Sequence, residues 1–270
     1  MTSTLNQKTQ PTPTPSRRKR WIGLSIAAVF IAGVAFGLMY FFGGTEPAEV
    51  DLDATVNAVT ASTAGTAGAS SAATATSTPT RSVVDDVSGN WAVDTTTGTF
   101  SFDDATATFA GFRVQEELAQ IGAATAVGRT PEVSGAVTID GTSITSAEIA
   151  VDLTAIVSDE SRRGNAIREA LNTSQNPTAT FVLTEPIDFG EVPAEGVTVS
   201  ATAIGDLTIN GVTRTVEIPL EAQVIGESIL IVGSTNVIFA DYEIETPSAP
   251  VVLSVADKGT IELQLWLVRA

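Results

Sequence analysis

The strongest constraint in this sequence is an alternation of period two between Val197 and Val224. Val197, Val199, Ala201, Ala203, Leu207 and Ile209 are apolar, and Thr198, Ser200, Thr202, Asp206 and Thr208 between them are polar. Successive strand side chains point to opposite faces, so this spacing predicts a half-buried strand. The pattern resumes with Val216, Ile218, Leu220, Ala222 and Val224 set against Thr215, Glu217, Glu221 and Gln223. Asn210-Gly211 between the two runs favours a type I′ hairpin turn. A second hairpin is written by Val133 to Ile139, Asp140-Gly141, and then Ala147, Ile149, Val151 and Leu153. Ile261, Leu263, Leu265 and Leu267 mark a last strand. Further strands are predicted around Thr99 to Asp103, Thr106 to Val114, Thr180 to Leu183 and Ile229 to Phe239, and one short helix from about Ser161 to Asn172, with Ala166, Ile167, Ala170 and Leu171 on its apolar face. About eight short antiparallel strands with hardly any helix define an all-β domain, an up-and-down barrel or a sandwich, and the barrel is preferred.

Ahead of this domain, residues 89–270, the chain divides three ways. Residues 1–20 form a basic tail in which Lys8, Arg17, Arg18, Lys19 and Arg20 meet no acid. Trp21 to Phe42 carry no charge, and at about 1.5 Å per residue a helix of that length spans a hydrocarbon core of about 30 Å. The run is long for a signal peptide, and Phe41-Phe42-Gly43-Gly44-Thr45-Glu46 is a poor cleavage site. The cations before it and the acids after it place the N-terminus in the cytoplasm and the domain outside the cell membrane, as a single-pass protein. Residues 43–88, rich in Ala, Ser, Thr and Gly, read as a disordered, flexible linker.

Composition removes much chemistry. The sequence has no cysteine and no histidine, which excludes thiolate or imidazole metal sites, Cys nucleophiles and Ser-His-Asp arrangements. Beyond residue 42, nine cations face thirty-one acids, a balance that repels nucleic acid. Lys258 sits in a turn, Asp257-Lys258-Gly259, and adjacent acids such as Asp103-Asp104, Glu116-Glu117 and Asp159-Glu160 point to opposite faces on a strand. Glu148, Asp152, Glu217 and Glu221 alternate outward. No metal, cofactor or enzymatic activity is expected. Arg113, Arg129 and Arg162-Arg163 are few enough in so acidic a domain to matter: either each pairs with a carboxylate on the barrel surface or mouth, or some form a rim site for an anionic or polar head group.

Several strings resemble one family. Phe112-Arg113-Val114 with Glu117-Leu118, Val127-Gly128-Arg129-Thr130, Val133-Ser134-Gly135 and Val151-Asp152-Leu153 come first. Arg162-Arg163, Asn176-Pro177-Thr178-Ala179-Thr180-Phe181 and Gly205-Asp206-Leu207-Thr208-Ile209-Asn210-Gly211-Val212-Thr213 follow in order. Together, over about residues 90–268, they resemble the YceI-like family of lipid or polyisoprenoid-binding proteins. The resemblance departs at Asn210, often His in the family, and at Gly164, where Asp is common. It implies a lipocalin-like extended antiparallel barrel holding an isoprenoid chain, of quinone or polyprenyl type, inside. The candidate lining residues are then Phe100, Phe102, Phe112, Phe181, Leu207, Ile209, Leu220 and Val224, with Arg113 and Arg129 at the rim. The alternative is a surface-displayed interaction module with a solidly packed barrel and no ligand.

Overall fold

The computed structural model describes residues 46–66, 87–119, 122–158, 161–246 and 252–270. The predicted basic tail and membrane-spanning run lie outside the described residues, among which no helix is long and apolar enough to cross a membrane.

One long strand organises the sheet. Strand β12 (Lys258–Arg269) pairs along its whole length with β10 (Ser228–Ile238), from Ser228 opposite Val268 to Ile238 opposite Lys258. Its other edge is shared. Trp266 to Arg269 take β1 (Gly89–Asp94), whereas Thr260 to Gln264 take β2 (Phe109–Leu118). From β1 the sheet runs through β4 (Val133–Asp140), β5 (Ser143–Asp152), β6 (Thr178–Leu183), β8 (Val199–Ile209) and β9 (Val212–Ile225) to β10, β12 and back to β1, eight antiparallel strands closed on themselves. At the opposite end from β1, β3 (Gly122–Thr130) continues the wall from β2, and Arg129 and Val157 exchange backbone hydrogen bonds of 2.9 and 2.8 Å. Two short strands, β7 (Ile187–Asp188) and β11 (Val252–Val255), add to β5 and β2. The barrel preferred over the sandwich is the observed architecture, and its extended length comes from closing the two halves with different strands.

The alternation read from the sequence positions the core. Ile218, Val224, Ile231, Leu265 and Leu267 meet Trp91, Val133 and Val137 inside the barrel near β1. Trp91, 1% exposed, donates its indole N–H to the Val87 carbonyl at 2.8 Å and plugs this closed end. Leu207, Ile209, Val237 and Tyr242 form a second cluster toward helix α2 (Ser161–Ala170), reached through Ile167. Asn210 and Gly211 have φ of 52° and 76°, as the predicted I′ turn requires. The Asn210 amide also donates to the Tyr242 and Glu243 carbonyls at 3.2 and 3.1 Å, so Asn210 ties the hairpin to the next turn.

Two expectations are corrected. Thr99 to Asp103 form no strand; residues 95–108 cross the outside of the barrel without regular structure. The predicted linker contains a helix, α1 (Leu52–Thr66), so the described residues hold two short α-helices where one was expected. Asp51 accepts the Ala54 N–H at 2.7 Å as its N-cap. Leu52, Val56 and Val59 fall on one face and pack against Leu230, Val232 and Trp266 on the outer surface of β10 and β12. Thr55 seals the contact, donating to the buried Gln264 amide oxygen at 2.7 Å. Both faces of β10 are therefore covered, which explains the unbroken apolar run Ile229-Leu230-Ile231-Val232.

Candidate functional site

The barrel interior is not filled. A cavity of about 270 Å³ lies among both inner clusters, walled by β4, β5, β6, β8, β9, β10 and β12 and by α2. Its wall alternates branched residues with small ones: Val137, Ile149, Ile218 and Leu263 stand beside Ala147, Ala179 and Ala203. The missing methyl and methylene groups at the alanines leave the space. Two aromatic rings are laid flat by glycines on neighbouring strands. A Cβ on Gly128 would fall 2.7 Å from the Phe112 ring, and one on Gly205 would collide with the Phe181 ring. Only glycine lets those rings lie back against the wall instead of standing in the cavity.

Charge is scarce here. Among the described lining residues only Glu116, Arg163 and Glu262 carry any. Arg163, in the first turn of α2, donates to Glu116 of β2 at 2.7 Å, with side chains 17% and 7% exposed. This pair stands where α2 closes over the cavity edge. The Glu262 carboxylate turns the other way. It accepts Arg113 Nε at 2.9 Å and Arg129 Nε and Nη2 at 3.0 and 2.9 Å on the outer face of the barrel. Arg113 Nη2 also donates to the Pro47 carbonyl at 2.8 Å, and both arginines donate to that of Ala48, just ahead of α1. Arg129 lies over the Phe109 ring at 4.5 Å. Burial pushes the Arg129 pKa down, while the charge and hydrogen bonds of Glu262 pull it back up.

Five of the predicted lining residues stand on the cavity wall: Phe112, Phe181, Leu207, Ile209 and Leu220. Val224 is buried in the closed-end cluster and does not line the cavity. Phe100 and Phe102 are outside, on the loop over β2. The Phe100 ring meets Phe109 at 6.4 Å, and the Phe102 carbonyl accepts from Arg129. Arg113 and Arg129 are not at the rim. Arg113 lies opposite Thr260 and Arg129 opposite Gly111, one residue out of step with the inward Phe112, so both point away from the cavity. They do pair with a carboxylate, but a buried one. The expected pairing of Arg163 with a carboxylate at the mouth is found, but the sequence does not say which carboxylate: only the register of β2 shows that Glu116 shares the inward face of Phe112 and Val114, and only the fold shows α2 as part of the wall.

A closed antiparallel barrel of eight strands with an apolar cavity inside and a helix over one end belongs to the small up-and-down barrels, whose interior is just wide enough for side chains or one small molecule. The chain belongs to the YceI-like domain family, whose model matches residues 76–267. A polyisoprenoid binding domain from Saccharophagus degradans has the same fold, with a TM-score of 0.53 and 17% identity over 67% of this chain and 98% of that one. Burkholderia cenocepacia BcnA is also similar, with a TM-score of 0.46 and 19% identity over 59% of this chain and 94% of that one. A search of curated proteins finds no match.

Proposed function

We propose that the barrel takes up the chain of an amphiphilic isoprenoid lipid, of quinone or polyprenyl type, and carries or presents it without chemical turnover. The apolar cavity of about 270 Å³ carries this reading. An apolar wall that faces empty space lacks partner atoms and forfeits their contact energy. A long apolar chain recovers that loss through contact with the wall. The S. degradans domain of like fold is described as polyisoprenoid binding, which agrees in kind. The packed-barrel alternative required an interior without such space. Glu148, Asp152, Glu217, Glu221 and Lys258 are all exposed on the outside, away from the cavity, which supports binding without catalysis. The uncharged run Trp21–Phe42, with its basic flank, supports display of the barrel outside the cell on a single membrane anchor.

Native mass spectrometry of the full chain, purified from membranes in mild detergent, tests the proposal. A co-purified prenyl lipid, or uptake of an added one, is expected. Ala203→Phe puts a ring into the void and is expected to lower occupancy at least tenfold without lowering the thermal midpoint. A chain that neither arrives with lipid nor takes up prenyl chains would falsify it.

A further inference from the structure

We infer that the prenyl chain enters and leaves the cavity sideways, through a seam between β9 and β10, and that the turn Phe239–Tyr242 is the gate over that seam. The inference rests on the lipid reading above. Three observations carry it.

The first is the seam. Strands β9 and β10 pair only from Ser228 opposite Ile225 to Gly233 opposite Leu220. Pro219, which has no N–H to give a ladder, comes next, and beyond it residues 212–219 of β9 and 234–238 of β10 run on without pairing with each other. Thr235 Oγ1 still reaches the Glu217 carbonyl at 2.9 Å, but the backbone ladder has ended. The cavity lies directly behind, because Ile218 on one side of the seam and Val237 on the other both line it.

The second is the cover. The turn Phe239–Tyr242, a short 3-10 helix, follows β10 and packs against both β9 and β10. Tyr242, 2% exposed, is buried in one cluster with Val237 of β10 and with Val212 and Val216 of β9. Phe239 before it and Ile244 after it line the cavity. The turn is closed on itself: Glu243 N–H donates to the Ala240 carbonyl at 3.3 Å and Ile244 N–H to that of Phe239 at 3.0 Å. It can therefore lift as one piece. Among the described residues, hydrogen bonds tie it to the barrel at its start, from Phe239 N–H to the Asp257 carbonyl at 2.9 Å, and at its end, from the Asn210 amide. Asn176, in the loop after α2, braces that latch by donating to Asn210 Oδ1 at 3.1 Å.

The third is that the shut position is balanced. The Tyr242 hydroxyl is buried with no hydrogen-bond partner among the described residues, and Glu243 is held in the left-handed region at φ 53°. Both are costly while the turn is down, and both are relieved when it lifts and the hydroxyl meets water. The Asn210 bonds offset that cost. Such a gate sets how fast the lipid passes and not how tightly it is held, since the barrel is shut in both the loaded and the empty state.

The test uses the full chain in detergent micelles and retinol, a fluorescent isoprenoid alcohol, with loading and release into acceptor vesicles followed by stopped-flow fluorescence. Asn210→Ala unlatches the turn and is expected to raise both rate constants about threefold or more. Tyr242→Phe removes the unpartnered hydroxyl and is expected to lower both about twofold or more. In each variant the ratio of the two rates, and so the Kd, is expected to hold within about twofold, which a residue that only shapes the cavity would not give. Rates that neither variant moves overturn the inference and put the route at the α2 end. A change in release alone, with uptake as in the native chain, overturns it too. Thermal midpoints are read alongside, and should Asn210→Ala fold poorly, Tyr242→Phe decides. A native chain that binds neither retinol nor geranylgeraniol is a different result: it overturns the lipid reading itself and this inference with it.

Discussion

Glu262 is 1% exposed and receives two guanidinium groups through a strand edge that sequence alternation alone would call solvent-facing. A buried carboxylate between two arginines is held by charge and by three hydrogen bonds, and removing it leaves two uncompensated cations in the protein wall. Glu262→Ala is accordingly expected to destabilise by about 3–5 kcal/mol, the range for breaking a buried pair, read in a urea titration. Asp94 is a milder case at the end of β1. Burial works to raise its pKa, but hydrogen bonds from the side chains and backbone of Thr97 and Thr96 outweigh it and hold the carboxyl at about 2, below its ordinary 3.8. A lowered folded pKa means that the stabilisation is complete above about pH 4 and is lost as pH falls toward 2. The free energy of unfolding of the native chain is therefore expected to exceed that of Asp94→Ala by on the order of 1 kcal/mol at neutral pH after solvent screening, read in urea titrations, and this gap is expected to vanish below pH 2. Tyr242 stands apart from these: its hydroxyl is buried with no hydrogen-bond partner, and desolvation pushes its pKa up.

Helix α1 shows how an element can hide in a sequence. A segment of Ala, Thr and Ser looks like spacer because helix-forming and linker compositions overlap, and the whole stretch 43–88 shares that composition. The signal was present but short. Asp51 is a cap, and Leu52, Val56 and Val59 recur at spacings of four and three, enough for one buried face over two turns. The complementary signal lay far along the chain, in Leu230, Val232 and Trp266, apolar at positions that alternation assigns to solvent. Neither half identifies the other without the fold. By contrast, the hairpin through Asn210-Gly211 was fully legible, because turn chemistry and period two are local. Leu52, 1% exposed, is the anchor of the docked face. Leu52→Ala is expected to cost about 2–5 kcal/mol of docking energy. Hydrogen exchange should show it first at the amides of Thr55 to Thr60, with those of β8 and β9 unchanged; equal acceleration in the barrel strands would contradict a separately docked helix.

At the scale of the whole molecule, strand number and turn spacing left a barrel or a sandwich, with the barrel preferred, and which side of each strand faced inward was not settled at β2. That single register misplaced Arg113 and Arg129, since a shift of one residue exchanges the two faces of a strand. The division of labour between the faces is now clear. The inner face carries the cavity and the Glu116–Arg163 pair, and the outer face of β2, β3 and β12 carries the buried cluster that grips the chain at Pro47 and Ala48. Helix α1 continues that grip over Trp266. The covalent route from α1 to β1 is residues 67–86, while the grip itself runs through side chains and carbonyls. A protease that cuts within 67–86 therefore parts the backbone without parting the protein. What remains is a two-piece complex whose lifetime is governed by how fast Leu52 leaves its seat and the two arginines let go of the carbonyls, not by how fast the peptide bond was broken. Those contacts are buried, so raising the salt concentration does little to hasten the separation. Separation of the two pieces becomes a slow dissociation with a half-life of its own.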